Sequence, residues 1–305
     1  MIYSALSRIN TTRREKKKMK KAGYFNGEIG PLEEMKIPMT ARSVYFGDGV
    51  YDAAMIANGV CFDLEDHIDR FYNSLRLLDI RNFTLDRQQL KAELLRTAEC
   101  AEGDVRLLYW QVDRGSWPRQ HKYPPEDVKA NLLITVTPKK LADIRLPIRL
   151  ITAEDTRYLH CNIKTLNLIP NIMANQKAAE AGCDEAIFHR GNTVTEGSYS
   201  NVSILKDGRL ITHPADELIL PGISRKHLLE LARGLGVECV EREFALDEMF
   251  GADEVFITGS TTLVRRAEAI DGISVGGRDG ELFVTLQGAY MDRVRDITGL
   301  EIPYR

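Results

Sequence analysis

Lys164 is a candidate nucleophile because no charged residue flanks it. It lies in the segment Asn162-Ile-Lys-Thr-Leu-Asn167, among apolar and uncharged side chains. Partial burial would lower the pKa of such an amine and suit it to react with a carbonyl compound. A solvated surface lysine is the more common role of any single lysine, so both interpretations stay open on this segment alone.

Glu196 is a candidate acid at the end of an expected strand. It is followed by small, hydroxyl-bearing residues in Glu196-Gly-Ser-Tyr-Ser-Asn201. A carboxylate in a dry site could hold a positive charge, such as a protonated pyridine nitrogen. An exposed acid that closes a strand is an equally good interpretation.

Two turns carry donors for an anion. Gly222-Ile223-Ser224 opens an expected helix, where free N–H groups and the helix dipole favour phosphate. Gly259-Ser260-Thr261 ends an expected strand and offers hydroxyl groups, and Arg70 would add positive charge. Each turn alone is a weak signal, but a lysine, an acid and phosphate donors together match the needs of pyridoxal 5′-phosphate (PLP).

The run from Ile163 to Val202 resembles the fold-type IV, or class IV, aminotransferases, which use PLP. Lys164 and Glu196 are 32 positions apart in it with matching flanks, and the resemblance extends from about residue 24 to the C-terminus. It is strongest to the branch that transaminates D-amino acids. The resemblance implies an α/β (α+β) chain of two domains, a small α/β domain and a larger PLP-binding domain with a mixed, pseudo-barrel sheet. It also implies a homodimer with a shared active site.

The resemblance implies a role for each matching residue. Lys164 would bind the cofactor aldehyde covalently and transfer the proton of the substrate Cα, and Glu196 would face the pyridine nitrogen. Leu220 would pack on the cofactor ring. The phosphate would be bound by Arg70, Ile223, Ser224 and Ser260, with Thr261 close by.

Two further stretches resemble the parts of the family that bind substrate. Phe46-Gly-Asp-Gly-Val-Tyr51 matches the strand that places a tyrosine beside the substrate. The segment around Arg119-Gln-His121 matches a loop that, in the D-specific branch, reaches across the dimer interface. With Tyr51, this arginine and histidine would bind the substrate α-carboxylate. Two charge-assisted bonds from an arginine fix the carboxylate, and so decide which hand of the amino acid reacts.

Three positions depart from the pattern of that branch. Asp52 stands where a longer glutamate is usual, and Tyr158 and His160 replace an expected tryptophan and arginine. These departures bear on the accepted substrate side chain more than on the chemistry. We therefore expect transfer of the amino group of a D-alanine-like amino acid to a 2-oxo acid, 2-oxoglutarate or pyruvate.

Two other activities of the same fold stay open: L-branched-chain transamination, and 4-amino-4-deoxychorismate lyase activity, which releases pyruvate. The Arg119-x-His121 loop argues against the first. The Tyr51 strand argues, less strongly, against the second. A binding protein that uses a basic leader is a third alternative, and the presence of Lys164 and Glu196 speaks against it.

Composition excludes several classes of protein. The 305 residues carry a net charge of −3, which predicts no general affinity for nucleic acid or an anionic membrane. No apolar run approaches the roughly 18–20 residues that cross a bilayer. The five cysteines are odd in number and form no C-x-x-C pair. We therefore expect a cytoplasmic protein without disulfides and without a metal site.

The chain divides into four expected segments. Residues 1–21 contain eight basic residues and one acid, which predicts a disordered, solvated leader. A small α/β domain is expected over 22–138, a linker over 139–146 and the large PLP-binding domain over 147–305.

Local patterns predict the elements that position these residues. Hairpins are expected at Asn26-Gly27 and Asn58-Gly59, and Asp63-x-x-Asp66 predicts a capping box that opens a helix. Further helices are expected over about 86–101, 169–181 and from 221 to 235. Further strands are expected over 105–112, 131–138, 185–189, 193–196, 201–205, 210–212 and 253–258.

Overall fold

A computed structural model describes residues 18–305. The first part of the chain forms a six-stranded antiparallel sheet. The strand order is β2-β1-β6-β5-β3-β4. Three helices accompany the sheet, α1 (Arg42–Phe46), α2 (Leu64–Leu77) and α3 (Arg87–Ala98). The strands are β1 (Ala22–Phe25), β2 (Glu28–Pro31), β3 (Gly49–Ala57), β4 (Val60–Cys61), β5 (Val105–Asp113) and β6 (Asn131–Pro138).

Both predicted hairpins form. Asn26 and Gly27 have φ angles of 47° and 103°, and Asn58 and Gly59 have 49° and 81°. Two consecutive positive φ angles match the right-handed twist of the flanking strands, and Asn-Gly adopts them with little strain.

The predicted capping box at Asp63 is wrong. Asp63 is in the left-handed region with a φ of 52°, and its side chain caps no N–H of α2. Its carboxylate instead accepts a hydrogen bond from Arg293, at 2.5 Å. A capping box does form at α3, between Asp86 and Gln89, where the backbone of the N-cap is extended.

The core of the first part lies between the sheet and the inner faces of α2 and α3. Phe71 of α2 packs edge-to-face on Trp110 of β5, with ring centroids 6.0 Å apart. Ile68 and Leu75 share this face of α2, and Leu90 of α3 completes the contact. The 3.6-residue period of α2 therefore places Arg70 beside this core, on the side that turns toward the second part of the chain.

The second part is a mixed sheet of nine strands, in the order β12-β11-β10-β13-β14-β7-β8-β9, with β15 paired to β14. β7 runs parallel to both β8 and β14, and the sheet curls so that β9 and β10 come into contact. Four helices belong to this part: α4 (Ile169–Glu180), α5 (Ile223–Gly234), α6 (Leu246–Phe250) and α7 (Gly280–Thr298). The strands are β7 (Ile148–Glu154), β8 (Glu185–Arg190), β9 (Thr193–Gly197), β10 (Asn201–Lys206), β11 (Arg209–Thr212), β12 (Cys239–Glu241), β13 (Glu254–Gly259), β14 (Leu263–Ile270) and β15 (Ile273–Ser274).

Residues 139–147 connect β6 to β7 without a helix or strand. The division into two domains at this connection stays a prediction. Of the expected leader, residues 1–17 lie outside the described residues. Met19 pairs with the residues that follow α3. Its N–H donates to the Cys100 carbonyl and its carbonyl accepts from the Glu102 N–H, each at 2.8 Å.

No helix within 18–305 combines the length and the apolar character that a membrane crossing requires. All five cysteines lie in this range as free thiols.

Gly49 starts β3 at a point where no side chain fits. A Cβ there would lie 2.5 Å from the Val112 carbonyl oxygen and 2.8 Å from Leu166 Cδ1. We expect Gly49→Ala to lower the free energy of unfolding by about 1–3 kcal/mol, because β5 and the Lys164 segment must both move. Gly234→Ala is the matched control, since its Cβ meets nothing within 4 Å. Urea denaturation of both variants checks this, and equal stabilities would contradict the crowding at Gly49.

Candidate functional site

A cavity of about 270 Å³ opens between the two parts of the chain. The first part contributes Tyr51 of β3 and Arg70 of α2 to its wall. From the second part, the cavity is lined by Lys164, Glu196, Leu220, Ile223, Ser224 and Ser260. Eight residues singled out in the sequence thus meet in one space, although they are spread over more than 200 positions.

Lys164 is held in the cavity by the backbone of β3. The Tyr51 N–H donates to the Lys164 carbonyl at 2.9 Å, and the Leu166 N–H donates to the Gly49 carbonyl at 3.0 Å. The Lys164 Nζ lies 4.3 Å from the centre of the Tyr51 ring. Because the face of an aromatic ring attracts a cation, the Tyr51 ring stabilises the protonated amine at this position in the cavity.

Glu196 is buried at one side of the cavity and accepts three hydrogen bonds. Arg157 donates to Oε1 at 2.5 Å, while Asn201 Nδ2 and the Leu220 N–H donate to Oε2 at 2.9 and 3.0 Å. Burial raises the pKa of Glu196, and the charge of Arg157 opposes this shift. The arginine therefore supplies the positive charge that a carboxylate needs in a dry wall.

Arg157 is in turn fixed by Asp155. Its Nε and Nη2 donate to the two Asp155 oxygens, each at 2.9 Å, and its guanidinium lies over the Phe188 ring at 4.6 Å. Burial lowers the pKa of Arg157, but its bonds to Asp155 and the charge of Glu196 raise it overall. Arg157 is thus charged and held in one orientation beside Glu196, and it also lines the cavity.

A second buried pair orients Arg70. Its Nε and Nη2 donate to Asp52 Oδ2 and Oδ1, at 2.9 and 2.7 Å, and its Nη1 donates to the Pro221 carbonyl at 3.2 Å. His67 Nδ1 also lies 2.8 Å from Asp52. Burial raises the pKa of Asp52, yet the charges of Arg70 and His67 hold it well below its ordinary value. Asp52 therefore acts on Arg70 from behind, as an ionised carboxylate.

The end of the cavity near Arg70 is suited to an anion. Gly222 is the N-cap of α5, so the N–H groups of Ile223 and Ser224 have no partner within the helix. Ser224 and Ser260 add hydroxyl groups. Thr258 also lines the cavity, and its buried Oγ1 has no hydrogen-bond partner among the described residues. An unpartnered buried hydroxyl in such a place fits a bound oxyanion.

Three predicted residues lie outside this cavity wall. Thr261 follows Ser260 at the turn between β13 and β14 but is not among the lining residues. Arg119 and His121 lie on an exposed loop, against the Phe46 ring at 5.1 and 5.3 Å. The structure of one chain therefore does not bring Arg119 or His121 to Lys164.

The loop that carries Arg119 and His121 is nevertheless firmly held. Arg42 is buried beneath it, donates to the Gln120 carbonyl at 2.7 Å and to the Lys122 carbonyl at 3.2 Å, and pairs with Asp48 at 2.6 Å. Both side chains are thus presented from a fixed backbone rather than from a loose loop.

The sequence interpretation missed Arg157, Asn201 and Thr258. Arg157 follows Asp155 by two residues, a local acid–arginine signal, but its partner Glu196 is 39 positions away. Asn201 and Thr258 carry no pattern that distinguishes them from other strand residues. Tyr158 and His160, noted as departures, both line the cavity.

The wall thus contains an amine, a buried carboxylate paired with an arginine, and an anion-binding end. These are the groups that a phosphorylated pyridine aldehyde needs: a nucleophile for the aldehyde, an acid for the ring nitrogen and donors for the phosphate. The donor set fits PLP.

Comparisons with known proteins agree with this chemistry. Residues 49–270 match the family model described as amino-transferase class IV. The chain belongs to the class IV aminotransferases. It is 38% identical over 274 residues to the D-alanine aminotransferase of Bacillus licheniformis, covering 88% of this chain and 96% of that protein. It is 34% identical over 272 residues to the D-alanine aminotransferase of Staphylococcus haemolyticus, covering 88% and 95%.

Among solved structures, this aminotransferase is similar to a branched-chain aminotransferase from Thermoproteus uzoniensis. The TM-score is 0.81 at 24% identity, over 93% of this chain and 96% of that one. The Escherichia coli branched-chain enzyme gives a TM-score of 0.78 at 22% identity, over 92% and 96%. These likenesses confirm the predicted fold class.

Glu185 lies behind the Glu196–Asn201 segment and makes the stability of the aminotransferase depend on pH. Its Oε1 accepts from the Tyr199 N–H at 2.8 Å and from Ser200 at 2.9 Å, and burial raises its pKa to about 7. An unfolded glutamate releases its proton near 4.5, so this residue makes stability fall as pH rises from there through 7.

The free energy of unfolding should fall by on the order of 3 kcal/mol over this pH range because of Glu185. We expect Glu185→Gln to remove that decrease. Urea denaturation between about pH 5 and about pH 8 measures it. Glu180→Gln, an exposed acid on α4, is the control that keeps the wild-type slope. A Glu185→Gln slope equal to the wild type would show that Glu185 is not the titrating group.

Proposed function

We propose that this chain is a PLP-dependent D-amino-acid transaminase, which moves the amino group of a D-alanine-like substrate to 2-oxoglutarate or pyruvate. The observation that carries the proposal is the single cavity that joins Lys164, the buried Glu196 and the anion-binding end. The relatives named D-alanine aminotransferase in Bacillus, Listeria and Staphylococcus support the D-amino-acid substrate.

Each lining residue has a part in holding the cofactor. Arg70, the N–H groups of Ile223 and Ser224 and the hydroxyls of Ser224 and Ser260 line the cavity and would bind the phosphate. Thr261 follows Ser260 and would lie nearby. Leu220 would pack on the ring, and Glu196 would face the ring nitrogen. PLP, when bound, accepts the electron pair that the substrate Cα–H bond leaves behind.

Lys164 has two tasks in the reaction. Its amine would hold the cofactor through the aldehyde group, since an amine in the cavity wall is the nucleophile that a carbonyl needs. The Lys164 Nζ would also act as the base that takes up the proton of the substrate Cα and as the acid that delivers it again. Only when the substrate carboxylate is also fixed does one hand of the substrate present its Cα–H bond to Lys164.

The substrate carboxylate is bound by Tyr51, Arg119 and His121. Arg119 and His121 are not among the residues that line the cavity of their own chain, so we propose a homodimer in which this loop enters the partner's cavity. The fixed backbone over Arg42 supports this arrangement. So do exposed apolar side chains next to the loop, Met39 at 86% and Val44 at 54% exposure, which a second copy would cover.

The lack of disulfides among the five cysteines is consistent with a cytoplasmic location, which stays part of the proposal. No nucleic acid or membrane partner is proposed.

The direct test is a single half-reaction with no acceptor present. We expect the PLP-loaded chain to form one pyruvate per chain from D-alanine and no oxo acid from L-leucine. Rapid-quench assays with chromatography measure both. Oxo acid from L-leucine alone would favour the branched-chain alternative, and catalytic release of pyruvate from 4-amino-4-deoxychorismate would favour the lyase.

The same assay tests the carboxylate site. We expect Arg119→Leu to lower kcat/KM for D-alanine, with a rise of roughly 2–5 kcal/mol in the corresponding free-energy barrier, because a charged partner of the carboxylate is removed. Lys122→Leu removes a positive charge from the same loop and serves as the control. An unchanged kcat/KM in Arg119→Leu would remove this residue from the site.

A further inference from the structure

A second group of ionisable side chains lies where α2 meets α5 and α7. Asp63, Asp66 and His227 each offer one ligand atom, and these atoms all lie within 4.8 Å of one another. Asp66 Oδ2 is 2.7 Å and Asp63 Oδ2 is 3.5 Å from His227 Nε2. We propose that these three residues bind a divalent transition metal of the zinc class. The cysteines alone had led us to expect no metal site.

Asp63 is the residue that points to a cation. Its side chain is only 4% exposed, and its Oδ2 accepts no hydrogen bond from any described residue. A proton on His227 Nε2 can satisfy Asp66 but not Asp63 at the same time. A metal ion can be bound by both carboxylates, so it removes the cost of the unpartnered oxygen.

The neighbouring basic side chains bind the Oδ1 atoms of the two aspartates and not their Oδ2 atoms. Arg293 donates to Asp63 Oδ1 at 2.5 Å, and Lys226 donates to Asp66 Oδ1 at 2.7 Å. In both residues Oδ2 is the atom that faces the imidazole. Arg293 Nη2 also lies 3.4 Å from His227 Nε2. The Arg293 side chain is 29% exposed.

His227 is oriented as a metal-binding histidine. Its Nδ1 lies 2.9 Å from Glu230 Oε2. Donation from Nδ1 to this carboxylate places the lone pair on Nε2, toward the two aspartates. Metal-bound histidines commonly carry such an outer carboxylate, which fixes the ring and raises its basicity.

The charge balance supports a cation as well. Asp63, Asp66 and Glu230 contribute three negative charges, and Arg293 and Lys226 contribute two positive ones. Two carboxylates and one imidazole, with water as a fourth ligand, form a set that suits zinc better than magnesium or calcium. A cavity of about 320 Å³ that includes His227, Glu230 and Arg293 in its wall gives water access.

The site would fasten the two helices that bind the anion. Asp66 lies one turn before Arg70 on α2, and His227 lies one turn after Ile223 on α5. An ion held between Asp66 and His227 therefore fixes the distance between Arg70 and the start of α5. Zinc is expected to raise the Tm of the protein through this contact.

Zinc chloride is the probe, added to the full-length, PLP-loaded chain after treatment with a chelator. We expect one saturable zinc per chain by dialysis and elemental analysis, and a Tm that rises with zinc but not with magnesium. His227→Gln and Asp66→Asn should abolish both effects. Glu230→Gln should weaken zinc binding about 10–100-fold. His189→Gln is the control, because that imidazole lies 3.6 Å from the single acid Glu154.

A wild-type chain that binds no more zinc than His227→Gln would overturn the proposal, as would an equal response to magnesium. If His227→Gln does not fold, Glu230→Gln decides the question. Glu230 is 54% exposed, so its replacement leaves the fold intact. An unchanged zinc affinity in that variant would also overturn the proposal.

Discussion

The structure depends on placing ionised side chains inside a largely dry wall. A buried carboxylate or guanidinium is tolerated only when a partner of opposite charge and further hydrogen bonds replace water. Two such pairs, Glu196 with Arg157 and Asp52 with Arg70, lie at the cavity. Glu196, Arg157 and Arg70 line it, whereas Asp52 is not among the lining residues. The polar chemistry of the site is therefore built into the packing of both parts of the chain.

This arrangement gives a physical meaning to the aspartate at position 52. A shorter acid next to Tyr51 suggested an altered contact with substrate, but Asp52 is fully buried and bonds to Arg70 and His67 instead. Its length governs where the guanidinium of Arg70 lies. Tyr158 and His160 do line the cavity, and their effect on the accepted side chain stays a prediction.

Much of the site was predictable because its signals are local. Lys164 lies in an uncharged segment, Glu196 closes a strand, and Ser224 follows the glycine that opens α5; each pattern spans only a few residues. Pairings between distant residues were not predictable, since no local pattern links Arg157 to Glu196 across 39 positions. Asp63 misled the prediction for the same reason: its partner Arg293 is 230 positions away. The parallel pairing of β7 with β14 likewise depends on the assembled sheet.

We propose that the amine of Lys164 carries the cofactor in the resting enzyme. Borohydride reduction of the purified, PLP-loaded protein, followed by peptide mass spectrometry, tests this attachment. We expect a single peptide, the one that contains Lys164, to gain the mass of a reduced phosphopyridoxyl group. If that peptide stays unmodified, or another lysine is labelled in its place, Lys164 is not the point of attachment.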